Sequence, residues 1–258
     1  MFRNAVQLYC FHNAQRESFP GLFRDIKAMG FDGVEFAGYY GYSMKDIRSF
    51  LDDAGLKAEG AHISYETLNT ELDQTIEQSL ALGQRYIVCP HLDPQYRENL
   101  DAVLAVAEDF SRFGEKIRNA GLTFAFHTEQ YHFDFYGEKS LSEIILDETD
   151  PADVKIQLDT GNGEVTGRMK TLDFMKKYPD RCELLHIKEY IDIGDAAPAV
   201  LGDGILELAP VLAKGEELGC TWYTLEYEGE EPDVRPAVKK SFEVLLREEE
   251  LYKSRHRE

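Results

Sequence analysis

The chain has 258 residues, of which 43% are hydrophobic and 12% aromatic, so it is long enough to bury a large core. Its formal net charge of -20 argues against a nucleic-acid partner, because such a surface repels a phosphate backbone. The sequence shows no signal-like segment before the first predicted strand and no apolar segment of membrane-spanning length, so we expect a soluble cytoplasmic protein with no membrane partner.

Short apolar segments alternate with amphipathic segments of helical period roughly every 25–40 residues, which is the pattern of repeated strand–helix units. Eight strands are predicted, at residues 6–10, 33–36, 57–62, 86–89, 122–126, 154–158, 183–187 and 222–226. Eight helices are predicted between and after them, at residues 19–29, 44–54, 66–82, 99–120, 141–146, 171–177, 206–218 and 234–251.

The joints between helices and strands repeat as well. Five helices end at a glycine that opens the next strand, namely Gly30, Gly55, Gly83, Gly121 and Gly219. Together with the alternation, this repetition predicts one α/β domain over residues 1–258, a single (β/α)8 TIM barrel. The alternative is an open, doubly wound sheet, and the lack of a strand-linked Gly-x-Gly-x-x-Gly segment weakens its nucleotide-binding version.

Polar side chains collect where the predicted strands end, which is where a barrel places its active site. These residues are Glu35, His62, His91, His127, Glu129, Asp159, His186, Lys188, Glu226 and Glu228. Each alone could be a hydrogen-bonded core residue, but a ring of His, Asp and Glu around one mouth predicts a divalent metal site. The mixed nitrogen and oxygen set favours Mn²⁺ or Co²⁺ over calcium, with Mg²⁺ and Zn²⁺ as further candidates.

Several of these residues stand in motifs that carry a family resemblance. They are the opening Val6–Tyr9, Phe126–Glu129, Leu158-Asp159, Leu185–Lys188, Gly202–Ile205 and Leu225-Glu226. In their order and spacing the chain resembles the xylose isomerase-like superfamily of sugar isomerases and epimerases, in the branch with a Tyr-His-Asn-His motif on strand five. The resemblance covers nearly the whole chain. It implies one divalent metal ion, Mn²⁺ by preference, held by His127, Asp159, His186 and Glu226.

The sequence departs from the family on strand five. In the family's ketose 3-epimerases the ligand there is a glutamate that also acts as an acid/base, whereas this chain has His127 at that position. Glu129 stands where the branch has its second histidine. Either His127 or Glu129 could therefore be the fourth ligand, and the sequence leaves the choice open.

The expected reaction is the isomerisation or epimerisation of a small-molecule sugar or keto-sugar by proton transfer through a metal-stabilised enediolate. Glu226 would serve as ligand and as base on one face of the substrate, and His127 and Glu129 would serve the other face. Substrate contacts are expected from other strand-end residues, namely Glu35, His62, His91 and Lys188. For Lys188 the roles considered are an oxyanion or phosphate contact and a salt bridge at the rim.

Other functions remain open from the sequence. The same site could act as a lyase or dehydratase on a keto-sugar, keto-glycoside or keto-inositol. An endonuclease of the same superfamily would need more metal-binding histidines and a basic surface, and the net charge of -20 argues against it. A non-catalytic barrel that binds a sugar or a metal is a further possibility, and a homo-oligomer is also left open.

Overall fold

The computed structural model describes residues 2–12 and 18–256; the rest of the expected domain span 1–258 lies outside the described residues. Eight parallel strands close into a barrel in the spatial order β1-β8-β7-β6-β5-β4-β3-β2. The strands are β1 Asn4–Gln7, β2 Gly33–Phe36, β3 Lys57–His62, β4 Tyr86–Cys89, β5 Thr123–His127, β6 Val154–Asp159, β7 Cys182–Ile187 and β8 Trp222–Leu225. The predicted (β/α)8 barrel is confirmed, and the open sheet is wrong.

Helices lie between successive strands and cover the outside of the barrel. They are α1 Phe19–Met29, α2 Met44–Ala54, α3 Tyr65–Thr70, α4 Leu72–Leu82, α5 Leu100–Asn119, α6 Leu141–Asp147, α7 Thr160–Val165, α8 Thr171–Lys177, α9 Leu208–Leu218 and α10 Arg235–Arg255. Within the described part of the chain, none of these helices is both long and apolar enough to cross a bilayer.

Two predicted elements differ from the structure for local reasons. The first strand ends at Gln7, because the Gln7 side chain accepts a hydrogen bond from the Tyr9 backbone and starts a 3₁₀ turn. The helix predicted at 66–82 is broken into α3 and α4. Near the break, Asn69 and Thr70 each donate a side-chain hydrogen bond to a carbonyl of the preceding turn, which competes with the helix backbone.

The barrel interior changes from apolar to polar along the strands. At the amino-terminal end a small buried cluster fills it, formed by Ala5, Tyr86, Val88, Ala125, Leu184 and Trp222. Alternate residues of a strand share a face, so the positions two residues further on also point inward. On β5 and β7 these are His127 and His186, and on β8 it is Thr224. The alternation therefore places the polar side chains directly above a closed apolar base.

A β-bulge on β3 adds a carboxyl group to this interior. Val34 pairs with Ala58 and Glu35 with Gly60, so Glu59 is the extra residue. The Glu59 side chain is buried, and its Oε2 accepts a hydrogen bond of 2.6 Å from Thr224 Oγ1, while Oε1 has no partner. Gly60 is required beside it, because a Cβ there would lie 2.8 Å from the backbone oxygen of Tyr86.

We expect Glu59→Gln to stabilise the protein at alkaline pH. Burial, and then the charge of Glu35, raises the pKa of Glu59 to about 8, above the value of about 4.3 for an unfolded chain. The folded state thus holds a proton that the unfolded state releases, so stability falls as pH rises from about 4 to about 8. A glutamine at position 59 does not titrate, so the variant does not lose this part of its stability as the pH rises. Thermal unfolding should show a Tm roughly 5 °C above the parent at pH 9 and little change at pH 4; equal Tm values at pH 9 would contradict the assignment.

Candidate metal centre and active site

Four side chains with metal-binding atoms meet at the carboxyl end of the barrel. One such atom from each lies within 4.8 Å of those of the other three, and the residues are His127, Asp159, His186 and Glu226. They come from the last positions of β5 and β6, from the next-to-last position of β7 and from the position after β8. The structure therefore brings together the set that the sequence predicts as ligands, and their coordination of an ion stays a prediction.

The structure groups His127, and not Glu129, with the other three residues. His127 is the last residue of β5 and is buried, with its Nε2 3.9 Å from Asp159 Oδ2. Glu129 lies two residues further on, at the start of a 3₁₀ turn, and it is outside the groups of close metal-binding atoms found among the described residues. His127 is therefore the better candidate for the fourth ligand.

Asp159 presents one carboxylate oxygen to the centre and uses the other to begin α7. Its Oδ1 accepts a hydrogen bond of 2.7 Å from the Asn162 backbone, as the N-cap of that helix. Its Oδ2 is buried and accepts no hydrogen bond. Burial raises the pKa of Asp159 to about 7, against the opposing charge of Lys188. A buried carboxylate oxygen that accepts no hydrogen bond, beside imidazole and carboxylate donors, fits a divalent cation.

His186 lies between two carboxylates. Its Nδ1 is 3.0 Å from Glu226 Oε2, and its Nε2 is 2.6 Å from Glu35 Oε2. Burial alone would lower the pKa of His186, but the Glu35 and Glu226 carboxylates raise it well above its usual value. The Nδ1 side of the ring faces the candidate metal centre, and the Nε2 side faces the barrel interior.

The surroundings of His127 disfavour its protonated form, in contrast to those of His186. Its Nδ1 is 3.1 Å from Gln157 Oε1. Burial, followed by the charges of His186 and His62, lowers the pKa of His127 well below its usual value. The ring is therefore neutral, which is the form of imidazole that binds metals.

Lys188 brings a cation to the same place. Its Nζ lies 3.2 Å from Glu226 Oε2, 3.5 Å from Asp159 Oδ2 and 3.0 Å from Glu228 Oε2. Burial would lower the pKa of Lys188, yet these carboxylates raise it well above its usual value. In turn, burial raises the pKa of Glu226, but Lys188 and His186 bring it well below its usual value. The ammonium group therefore neutralises part of the charge of the two carboxylate ligands.

A cavity of about 390 Å³ opens above these residues. The residues that line it are Tyr9, Ala37, His62, Ser64, Pro90, His127, Glu129, Glu226 and Glu228. The volume, together with the histidine and glutamate side chains on the wall, suits a small ligand with polar groups. Two of the candidate ligands, His127 and Glu226, are on its wall, so a substrate in the cavity would contact the centre directly.

Glu129 lies on the cavity wall with an environment that favours proton exchange. Burial, and with it the negative charges of Glu226 and Asp159, raises the pKa of Glu129 to about 7. The positive charge of Lys188 opposes this shift. A carboxyl group of this kind is present in both protonation states near neutral pH. Its position and its pKa both fit a residue that transfers a proton.

The residues expected to contact substrate are placed differently from one another. His62 lines the cavity, and Lys188 is buried among the carboxylates next to it. His91 lies beyond the end of β4 on the rim, with its side chain 51% exposed. Glu35 is fully buried below the cavity, where it contacts other protein side chains. A direct substrate contact is thus supported for His62 and not for Glu35.

One residue of the site, Gln157, was not singled out from the sequence. Gln157 contacts His62, His127 and Glu35 from the barrel interior. It stands two residues before Asp159 on β6, so the period of two along a strand could have identified it. Glu228, which the sequence places two residues after Glu226 at the end of the last strand, contacts Lys188 and lines the cavity.

Comparison with known proteins agrees with this architecture. Residues 23–248 match the model of the xylose isomerase-like TIM-barrel family. No curated protein sequence matches the chain significantly. The family match covers most of the chain. It extends from α1 to α10 and includes every candidate ligand.

Solved structures of several proteins superimpose on nearly the whole chain. Two are described as sugar phosphate isomerase/epimerases from Parabacteroides distasonis. The first has a TM-score of 0.81 at 21% identity, with 95% of this chain and 98% of that chain covered. The second has a TM-score of 0.76 at 25% identity, with 93% and 92% covered. A 3-keto-D-glucoside 4-epimerase from E. coli has a TM-score of 0.73 at 18% identity, with 96% and 100% covered. These neighbours share the barrel fold over nearly the whole of this chain.

Proposed function

Because the chain belongs to the xylose isomerase-like TIM-barrel family, we propose that it is a metal-dependent isomerase or epimerase of an unphosphorylated keto-sugar. The observation that carries the proposal is the convergence of two histidines and two carboxylates beside a small cavity, with His127, Glu226 and the separate carboxyl group of Glu129 on its wall. An ion site next to a separate acid/base group is the arrangement that proton transfer beside a carbonyl requires.

The residues that would hold the ion are His127, Asp159, His186 and Glu226. Proteins of this family often bind a divalent metal, and the mixed nitrogen and oxygen donors favour Mn²⁺ over Ca²⁺. When bound, such an ion supplies a Lewis acid that stabilises negative charge on substrate oxygens.

The chain's own residues would carry the proton. We assign Glu129 to remove or return the proton on the carbon beside the carbonyl, because its carboxyl group lies on the cavity wall. Glu226 is held by Lys188 and His186 through Oε2 and would serve the other face of the substrate as well as the ion. Return of the proton to the opposite face inverts the carbon centre, and return to the neighbouring carbon isomerises the sugar.

The charge of the cavity supports an uncharged substrate. Glu129, Glu226 and Glu228 line it, and Asp159 lies beside the centre. Lys188 is already held by three of these four carboxylates. A phosphate group in this cavity would lie beside three glutamates while the nearby ammonium of Lys188 is already paired, so a neutral keto-sugar is favoured.

Elimination is the second candidate reaction on the same site. It begins with the same proton removal, and it replaces proton return by loss of a leaving group from the adjacent carbon. The observation that favours it is His62 on the cavity wall, since an imidazole there could protonate a departing hydroxyl group.

Deuterium incorporation tests the proposal. The protein is loaded with Mn²⁺ and incubated in D₂O with a panel of keto-sugars, each paired with its phosphate ester. We expect deuterium at the carbon beside the carbonyl of at least one neutral sugar, measured by NMR and mass spectrometry, and at least about tenfold slower labelling of the matching phosphate. New sugar products indicate isomerisation or epimerisation, and dehydrated products indicate elimination.

Protein treated with a chelator and then supplied with no metal is the control, and it should incorporate no deuterium. Metal-bound protein that labels none of the sugars would overturn the proposal in favour of a non-catalytic binding barrel. Faster labelling of the phosphates would overturn the assignment of a neutral substrate.

A further inference from the structure

Glu35 occupies the centre of a buried hydrogen-bond network below the candidate metal centre. Its Oε2 accepts a hydrogen bond of 2.8 Å from Gln7 Nε2 and lies 2.6 Å from His186 Nε2. Its Oε1 accepts one of 2.6 Å from Gln157 Nε2. A carboxylate has only acceptor atoms, so each of these three partners must turn a donor toward it.

This requirement fixes the orientation of the Gln157 side chain. With Nε2 directed at Glu35, the amide oxygen of Gln157 faces the two histidines above it. That oxygen lies 3.1 Å from His127 Nδ1 and 2.9 Å from His62 Nε2. Both nitrogens must carry a proton to make these hydrogen bonds, because an amide oxygen is only an acceptor.

The proton on Nδ1 leaves the other nitrogen of His127 free. A neutral imidazole has one protonated nitrogen, so Nε2 keeps its lone pair, and Nε2 is the atom that faces Asp159 Oδ2. For His186 the same carboxylate acts directly. Glu35 Oε2 accepts a hydrogen bond from Nε2–H and so keeps the proton on that nitrogen, and metal binding would displace the other ring proton, on Nδ1 beside Glu226.

We propose that Glu35 is a positioning residue that selects the metal-binding tautomer of both histidine ligands, directly for His186 and through Gln157 for His127. The proposal rests on the proposed function only in that the ion binds at these residues. Hydrogen bonds to the far nitrogen of a ligating histidine are a general means of orienting it and of raising metal affinity. Here one buried carboxylate acts on two ligands from different strands.

Glu35→Gln is the direct test, because glutamine keeps the shape but replaces one acceptor oxygen by a donor. Gln157 then gains a favourable alternative in which its oxygen faces residue 35 and its amino group faces His127. This alternative moves the His127 proton to Nε2, the atom that should bind the ion. We expect long-range ¹⁵N–¹H spectra of metal-free, histidine-labelled protein to show His127 as the Nδ1–H tautomer in the parent and at least partly as Nε2–H in the variant.

The second measurement is metal affinity by titration calorimetry with Mn²⁺. Loss of an orienting partner typically weakens metal binding by roughly 10–100-fold, and a decrease of at least about tenfold is expected for Glu35→Gln. Glu59→Gln is the matched control, since Glu59 is also a buried carboxylate inside the barrel but hydrogen-bonds to Thr224. It should leave both the tautomers and the metal affinity as in the parent.

Gln157→Met provides a second variant should Glu35→Gln fail to fold. Methionine fills a similar volume and removes the acceptor for His127, so the His127 tautomer should become mixed and Mn²⁺ binding should weaken by about tenfold. A folded Glu35→Gln or Gln157→Met protein with the parental His127 tautomer and parental affinity would overturn the proposal.

The tautomer measurement separates this proposal from the proposed function, since it needs no metal. If the parent binds no Mn²⁺, the proposed function fails, and the spectra of metal-free protein still decide whether Glu35 selects the tautomer. If the parent binds Mn²⁺ and the His127 tautomer does not respond to Glu35→Gln, the role of Glu35 is wrong and the proposed function stands.

Discussion

Asp159→Asn is expected to abolish stoichiometric metal binding. Asp159 contributes a buried oxygen without a hydrogen bond and a negative charge to the centre, and asparagine removes the charge. Removal of a residue that hydrogen-bonds to a metal ligand typically weakens metal binding by roughly 10–100-fold. Removal of a carboxylate ligand itself should weaken it by more than about 100-fold. Titration calorimetry with Mn²⁺ measures the change. The fold should persist, because asparagine is also a good N-cap for α7.

Asp203→Asn is the matched control for this experiment. Asp203 is an exposed carboxylate that pairs with Lys240 at 2.9 Å and belongs neither to the candidate ligands nor to the cavity wall, so its substitution should leave metal affinity unchanged. An Asp159→Asn protein that binds Mn²⁺ as tightly as the parent would show that the centre is elsewhere or does not exist.

Glu129→Gln is expected to separate catalysis from metal binding. Glutamine keeps the size and the oxygen of the side chain but cannot accept or release a proton at neutral pH. Because Glu129 lies on the cavity wall and outside the group of candidate ligands, metal affinity should stay within about threefold of the parent. Turnover and deuterium incorporation should fall by roughly 100-fold or more, the usual effect of losing an acid/base group.

Glu66→Gln controls for the change of charge, since Glu66 is an exposed glutamate on α3. It should retain parental turnover. Should Glu129→Gln lose metal binding together with activity, Glu129 would be a ligand, and the choice between it and His127 would have to be reversed. Unchanged turnover would remove Glu129 from the reaction.

The barrel was predictable because its local signals repeat. Each strand is a short apolar segment, and Gly30 and Gly55 show why the joints are informative, since both adopt the left-handed conformation that ends α1 and α2. Helix α7 was not predicted. Its sequence Thr-Gly-Asn-Gly-Glu-Val has two glycines and little apolar periodicity, and the helix depends on the Asp159 cap and on burial against neighbouring elements.

The site was predictable where strand ends alone determine it. Asp159, His186 and Glu226 follow from their places at the ends of strands. The role of Glu35 did not follow, because the sequence Gly-Val-Glu-Phe predicts a strand without showing which partners meet inside a closed barrel. Contacts between Glu35 and Gln157 join residues 122 positions apart, and such contacts depend on strand order and register.

The position of Lys188 has a consequence for how the centre is filled. Its ammonium group already contacts Glu226 and Asp159, and Glu228 lies 3.0 Å away as a further partner. An ion at this centre would displace the Lys188 ammonium from Glu226 and Asp159, while Glu228 would keep its contact with Lys188. The ammonium reduces the repulsion among these carboxylates and so acts as their counter-ion. The same ammonium competes with an incoming ion, so it makes the free energy of ion binding less favourable.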